Sequence, residues 1–400
     1  MKALLPLEEA QARLLALAIP LPVERVCMTD AQGRYLAEPL LARRTQPAAD
    51  LSAMDGYAVH SSNMVGPWQV VGESSAGHPY GAVVRPGEAV RISTGAVLPA
   101  GADAVIVQED CQRAQDRLLL TGDGPLPVGK HIRRCGFDYA EGTQLLAAGT
   151  RISAAHIALG LSSGHKHVAV RRLPRLAIID SGDELVPPGE PCPPHQIPAS
   201  NGAMVAAQAH DIPCQITRIG PIPDDLSRLI AALDEAADAD IIITSGGASV
   251  GDHDLIRPAL ADWGADLDFW RVAIKPGKPL LVARRGRQII LGLPGNPVAS
   301  YVTAYFFLLP LMRALLGAQN CLPRTITAPL SSGLDAIGTR REFIRGNWDG
   351  TQVYPEPMRD SSALAALAGS NCLIDRPAHA PLAPAGTGVA IYLLENGGIY

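Results

Sequence analysis

The alternation of apolar and polar positions divides the chain into successive regimes. Leu14, Leu15 and Leu17 follow the acidic start Glu8-Glu9, a spacing and charge that suit a helix over residues 7–19. VCMTDAQGRYLAEPLLAR then reads as a strand, a turn at Gln32-Gly33 and a further helix or strand. From about Gln46 to Ala140, glycine and proline recur between the short β-type runs YAVH, WQVVGE, EAVRIS, ADAVIVQED and RLLLTG. That spacing predicts a β-rich module inserted between two helical pieces. Residues 141–172 return to helix, with ISAAHIALGLSSG opening on a serine cap and closing on glycine.

RLAIIDSGDELV opens a different pattern. A strand at 176–179 precedes SNGAMVAAQAHD, a helix capped by Ser200 or Asn201. CQITRIG is the next strand, and Asp224-Asp225 begin the helix DDLSRLIAALDEAAD. The β-branched run Ile241 to Thr244 reads as a buried strand, and DLIRPALADW as a short helix. A second buried run, Ile289 to Leu293, feeds an apolar helix from about Val298. This alternation predicts a doubly wound parallel α/β sheet covered on both faces, with ligands beyond the carboxyl ends of its strands. The SGDE, PDD, SGGASVGD and LPGNP loops all fall at those ends, so one cleft can collect them. After Pro323 the pattern is β again: EFIRGNW-DG-TQVYPEP is a hairpin on Asp349-Gly350, followed by a short helix over Ser361 to Ala368 and strands near CLID and GVAIYLL.

Composition narrows the function classes. The 400 residues suggest two to four domains, and 47% hydrophobic against 18% charged residues marks a folded protein. A net charge of −5 without a Lys/Arg block argues against a nucleic-acid binder, and Arg133-Arg134, Arg171-Arg172 and Arg340-Arg341 read as solvated edges. Seven scattered cysteines without a CxxC pair predict free thiols in a reducing cytosol. The N-terminus does not read as a signal peptide, and the apolar run Tyr301 to Leu311 is too short to span a bilayer. A cytoplasmic location is expected.

The chemistry concentrates between 240 and 300. The turn Ser245-Gly246-Gly247 follows a strand and precedes a helix, an order that aims N–H groups and a positive helix end at an anion. Lys275 and Lys278 flank a Pro-Gly turn, and Pro294-Gly295-Asn296-Pro297 closes the second strand. Together these loops predict a phosphate site. Asp183, Glu184, Asp224, Asp225, Asp252 and Asp254 stand in the same loops. Carboxylates beside phosphates repel unless a hard cation bridges them, which points to Mg²⁺. Asp224 and Asp252 serve as readily as helix caps, whereas Glu184 and Asp254 are the better ligand candidates. Gly124-PLPV-Gly129-Lys130 imitates a nucleotide loop but has His131 where Ser or Thr should follow, and no helix comes after it. His165-Lys166-His167 reads as a surface strand rather than a metal site. Asp55, Ser93 and Thr94 lie beside glycines in SAMDGYAV and RISTGAVLPAG, which taken alone are turns.

SAMDGYAV, RISTGAVLPAGADAVIVQED, SGDELV, SNGAMV, TSGGASVGDHD, AIKPGKP and GLPGNPVAS together resemble, in that order, the molybdopterin molybdenumtransferases and the corresponding domain of gephyrin. The resemblance runs over nearly the whole chain. It implies a helical linker and dimerisation domain in two segments (1–45 and 141–172), an inserted β domain (46–140), an α/β molybdopterin-binding domain (173–322) and a C-terminal β-barrel (323–400). It also implies a Mg²⁺-dependent reaction in which adenylylated molybdopterin receives molybdenum from molybdate and AMP is released. Asp55, Thr94, Glu184, Asp254 and Lys275 would be catalytic, with Glu184 and Asp254 on the metal. Asp138, Ser181, Gly182, Asp183, Asn201, Asp225, Ser245, Gly246, Gly247, Ser249, Gly251, Asp252, Lys278 and residues Pro294, Gly295, Asn296 and Pro297 would bind substrate. Asp55 and Thr94 would reach the cleft of the other subunit of a homodimer. Transient contact with other cofactor-biosynthesis proteins and apo-molybdoenzymes is implied, and neither nucleic acid nor membrane. The chain departs from its relatives at Asp180-Ser181, where Ser-Thr is usual, which adds an acid to this loop. A molybdopterin adenylyltransferase and a gephyrin-like scaffold are the competing readings. The β module and C-terminal region weigh against the first, and the intact SGGASVGDHD and KPGKP loops against the second.

Overall fold

The β-branched run at 241 lies inside a six-stranded sheet. In the computed structural model, which describes residues 4–63, 65–246 and 255–394, strand Ile241–Ser245 pairs in parallel with Arg175–Ser181 on one side and Gln288–Leu293 on the other. Gln215–Ile222 extends the parallel part beyond Arg175–Ser181. The expected all-parallel sheet needs correction at the opposite edge. Leu281–Arg285 runs antiparallel to Gln288–Leu293, and Asp266–Trp270 antiparallel to Leu281–Arg285. The link from 285 to 288 is too short for a parallel crossover, which needs a dozen or more residues.

Successive strand residues face opposite sides, and both sides are covered. Leu176, Ile178, Ile241, Ile243, Ile289 and Leu291 pack with Val205, Val302 and Phe306, while Ala177, Ile179, Ile242 and Ile290 pack with Leu229, Leu233, Leu260 and Trp263. Burial on both faces explains why the central strands read as unbroken apolar runs.

The apolar helix after Pro297 is longer than the expected Tyr301 to Leu311 run. Pro297–Thr303, a π-turn at Ala304–Leu308 and Leu309–Leu315 form one helical stretch of 19 residues with mean hydropathy 1.5. By length and composition alone it is long and apolar enough to cross a membrane. Here 89% of it is buried inside the protein. Phe306 stacks on Phe343 at 4.2 Å between ring centroids and meets Tyr392 edge-on at 4.9 Å, so this helix joins the α/β core to the C-terminal sheet.

The segments expected to be helical contain the helices Leu7–Leu17 and Ala154–Ser162, but strands accompany them. Val23–Cys27 pairs antiparallel with His167–Arg171, and Leu40–Leu41 with Gln144–Leu146. These short runs find their strand partners only across the two segments, a long-range partnership that local periodicity does not show.

Between them lies a six-stranded sheet ordered Ala104–Val107, Gly56–Val59, Glu88–Ile92, Trp68–Ser74, Arg117–Leu120, Cys111–Ala114, with its own core around Val59, Trp68, Ile106 and Leu118. The C-terminal sheet runs Ile274–Lys275, Arg341–Trp348, Cys372–Arg376, Gly388–Leu393, Ile326–Pro329, with Val353–Pro355 paired to Arg341–Trp348. Its first strand belongs to the KPGKP loop, which is thereby clamped between the α/β region and the C-terminal sheet.

Candidate active site

Two neighbouring cavities open at the carboxyl ends of the parallel strands. The first, of about 490 Å³, is lined by Asp180, Ser181, Glu184, Asn201, Ser245, Gly246, Gly295, Asn296 and Pro297. Leu185, Ile197, Pro198, Ala199 and Leu364 make the rest of its wall largely apolar. Three of the four loops expected to converge do so here. Gly246 has φ +101°, and a Cβ on it would lie 2.6 Å from the Ser181 carbonyl oxygen, so a larger residue would push the two loops apart.

Asp180 organises the floor. It is 3% exposed. One carboxylate oxygen accepts the Gly202 N–H at 3.0 Å, the other faces the Arg218 guanidinium at 3.5 Å, and the Ser245 hydroxyl also donates to it. Burial raises its pKa above the ordinary carboxylate value, while Arg218 and then the Gly202 N–H oppose the shift. Ser200 stands at the N-cap of helix Asn201–Ala209 without a side-chain cap bond, so the carboxylate of the neighbouring strand caps that helix instead. The next residue, Asn201, donates from its side-chain amide to the Gly295 carbonyl at 2.7 Å and ties the helix to the LPGNP loop.

The second cavity, of about 350 Å³, shares Asn296 with the first. Lys275, Lys278, Arg340, Arg345 and Arg359 line it against two carboxylates, Glu342 and Asp360. Lys275 Nζ lies 3.0 Å from Glu342 Oε1. Neither Lys278 nor Arg359 forms an ion pair among the described residues. Burial lowers the pKa of Arg359 and Arg345 from the ordinary arginine value, the cost of gathering cations in a partly dry pocket. Arg345 donates to the carbonyls of Ala363 (2.9 Å), Asp360 (3.0 Å) and Met358, and so holds the segment 358–363 over both cavities. Asn296 reaches the same segment through Ser361 Oγ at 2.9 Å.

Three comparisons place this arrangement. Family models described as the MoeA N-terminal region (domain I and II), a probable molybdopterin binding domain and the MoeA C-terminal region (domain IV) match residues 5–164, 177–314 and 327–394. The molybdopterin molybdenumtransferase of Nostoc sp. is 38% identical over 88% of this chain and 85% of its own length. That of Haemophilus influenzae is 34% identical over 93% and 94%. The molybdopterin biosynthesis moeA protein from Pyrococcus horikoshii OT3 superposes with a TM-score of 0.85 at 27% identity, covering 98% of this chain and all of the other. The chain belongs to the molybdopterin molybdenumtransferase family.

The residues expected from this family fall into groups. Ser181, Glu184, Asn201, Ser245, Gly246, Gly295, Asn296 and Pro297 line the first cavity, and Lys275, Lys278 and Pro294 the second. Gly247, Ser249, Gly251, Asp252 and Asp254 lie outside the described residues. Two carboxylates take up structural tasks instead of facing the cleft. Asp183 Oδ1 accepts the Asp224 N–H at 3.0 Å, and Asp225, rather than Asp224, caps helix Leu226–Glu235 by accepting the Arg228 N–H at 2.9 Å. The Ser227 hydroxyl, then that N–H, lower the pKa of Asp225. A helix start leaves N–H groups unpaired, and a nearby carboxylate satisfies them at close range. Gly182 lies beside Glu184, within the loop, and is not part of either cavity wall.

Asp55, Thr94 and Asp138 are exposed on the β module and line neither cavity of their own chain. Asp55 Oδ1 accepts the Thr94 N–H at 2.7 Å and its hydroxyl at 3.1 Å, which lowers the Asp55 pKa, the N–H contributing most. Sequence reasoning missed Arg359, Glu342 and Arg345 and misread Arg340-Arg341 as a solvated edge. Arg340 lines the basic cavity, and Arg341 is bonded to Asp375 (Nε to Oδ1, 2.7 Å) and to Glu8. Arg172 is likewise committed, to Asp240 at 2.6 Å, and Arg134 to Asp50 at 2.6 Å. The available signal was three arginines within RREFIRG, too dense for one strand unless acids or an anion face it.

The imitation nucleotide loop lacks the strand-loop-helix setting that such a loop needs. Lys130 turns back to the Gly124 carbonyl at 3.3 Å, and strand Ile132–Arg133 follows instead of a helix. His165 is not on the exposed strand as expected. It is 8% exposed with Nε2 2.7 Å from the Leu41 carbonyl oxygen, while His167 starts the strand at the surface. No group of three or more metal-ligating His, Cys, Asp or Glu occurs among the described residues.

Proposed function

We propose that the two cavities form the active site of a molybdopterin molybdenumtransferase acting in molybdenum cofactor biosynthesis. Adenylylated molybdopterin occupies the larger, apolar-walled cavity, and molybdate occupies the cation-lined one. The observation that carries this reading is that the two cavities are neighbours with Asn296 in the wall of both. A flat heterocycle suits a slot of Leu185, Ile197, Pro198 and Leu364, and a tetrahedral dianion suits a cluster of Lys and Arg. Ser181, Ser245 and the Gly246 backbone are placed to bind phosphate oxygens of the pterin substrate. Asn296 stands on the rim that both substrates share, and Asn201 steadies its neighbour Gly295 from the pterin side. Held so, the dithiolene sulfurs of one substrate face the metal oxyanion of the other, which substitutes proximity for a chance encounter. Sulfur ligation comes from the substrate, which suits a chain whose described residues gather no thiol cluster.

Mg²⁺ fits the donor set. Glu184 is an exposed carboxylate beside hydroxyls and expected phosphates, and this ion takes one or two carboxylates and fills its sphere with substrate oxygens and water. When bound it would neutralise charge on the phosphoanhydride from which AMP departs. Two chains are inferred to pair so that the exposed Asp55–Thr94 loop of each closes the cleft of the other, since that loop lines neither of these two cavities in its own chain.

The test is incubation of the chain with adenylylated molybdopterin, molybdate and Mg²⁺, scored by AMP release and by activation of an apo-molybdoenzyme. Glu184→Gln is expected to abolish AMP release without unfolding the protein. Release that needs neither molybdate nor Glu184 would overturn the reading.

A further inference from the structure

The basic cavity contains a carboxylate that an anion site would be expected to avoid. Glu342 stands on strand Arg341–Trp348 directly opposite Lys275 in the parallel register, with its side chain 16% exposed and Oε1 at 3.0 Å from Lys275 Nζ. The neighbouring Arg341 is bonded to Asp375 and Glu8. Asp360, the other acid of the cavity, is engaged in its own turn, accepting the Ser362 N–H at 2.8 Å and hydroxyl at 2.6 Å. Glu342 is therefore the carboxylate of this cavity that is paired with one of its cations. Arg359 also feels its charge.

We propose that Glu342 is the resident counter-ion of the oxyanion pocket, a specificity-determining residue whose hold on Lys275 the incoming dianion must displace. The inference rests on the reading of this cavity as the molybdate site. Without Glu342, five cations would hold any tetrahedral dianion strongly, sulfate and phosphate included, and would release it slowly. A carboxylate already bound to Lys275 weakens capture of every such anion. Lys275 then turns fully to the oxyanion only when the second substrate, in the adjoining cavity, adds its own contacts. Affinity is thus exchanged for turnover and for resistance to abundant competing anions.

Glu342→Gln separates charge from shape, because the amide oxygen still accepts from Lys275 Nζ at the same distance. Titration calorimetry of the full chain uses sodium molybdate alone, and then sodium sulfate, as probes. The variant should bind both anions about tenfold more tightly or better, with a steeper loss of affinity as salt rises. Under turnover, the KM for molybdate and kcat should both fall, and sulfate should become an effective competitive inhibitor. Glu342→Ala should move the affinities in the same direction, which guards against a special effect of the amide. Unchanged or weaker anion binding in both folded variants would overturn the inference. If wild type binds molybdate and Arg359→Ala loses it while Glu342→Gln changes nothing, the cavity remains the oxyanion site and only the counter-ion role falls. If no form binds molybdate, both readings fall together.

Discussion

Gly202→Ala sets helix propensity against packing at the floor of the cleft. Alanine is the better helix former by about 1 kcal/mol in a helix interior, and on that ground alone the change would stabilise helix Asn201–Ala209. The structure reverses the sign. A Cβ on Gly202 would lie 2.1 Å from Asp180 Oδ2 and 2.7 Å from its Cγ, and Asp180 has no free rotamer because Gly202, Ser245 and Arg218 already hold it. Forcing an extra methyl into such a site costs ~1–3 kcal/mol. Moving Asp180 aside also weakens a charge-assisted bond to the Gly202 N–H, worth ~1.5–3 kcal/mol. The net expectation is a loss of about 1.5–5 kcal/mol after the propensity gain is subtracted. Asn201 shifts with the helix start, its 2.7 Å bond to Gly295 lengthens, and affinity for the pterin substrate falls. Urea unfolding followed by a probe in the α/β region gives the stability change, and calorimetry with the pterin substrate gives the binding change. In an Asp180→Ala background the clash disappears, so the cost of Gly202→Ala should drop below about 1 kcal/mol. A Gly202→Ala protein as stable as wild type would refute the steric argument.

With the pterin substrate bound, Lys275→Ala should weaken molybdate binding by ~1.5–3 kcal/mol at low salt and by less at high salt, because the ammonium is about half exposed and screened; equal affinity at low salt in that complex would place Lys275 outside the site. The Asp55 carboxyl is held below the ordinary value of 3.8 by Thr94, so the Asp55–Thr94 link should persist well into acid and be lost only as pH falls through the lowered pKa. NMR titration should show Thr94→Ala moving that pKa part of the way back, since the backbone N–H remains, and no movement would remove the hydroxyl from the account. Asp55→Asn and Glu184→Gln homodimers should each be inactive, whereas re-pairing equal amounts should restore roughly a quarter of wild-type activity if each cleft draws on both chains; mixtures that stay inactive with hybrid dimers present would rule out the shared cleft.

Much of the scaffold was legible in the chain itself. Strands buried on both faces must be continuously apolar, so Ile241–Ser245 and Gln288–Leu293 could be read locally, and glycine turns at their ends marked where the loops Ser245-Gly246 and Pro294–Pro297 would meet. The local pattern could not tell which loop carboxylates would be used up. Asp183 resembles Glu184 in sequence, yet the Asp224 N–H that the fold brings beside it commits it to a backbone bond. Nor could it show Val23–Cys27 pairing with His167–Arg171, the antiparallel edge of the main sheet, or segment 358–363 lying across the cleft. Residue types and spacing determined which groups the site needs, because chemistry and local geometry act over a few residues. The opposition of Glu342 to Lys275 was decided by tertiary structure alone, because it exists only where a strand from the α/β region joins the C-terminal sheet.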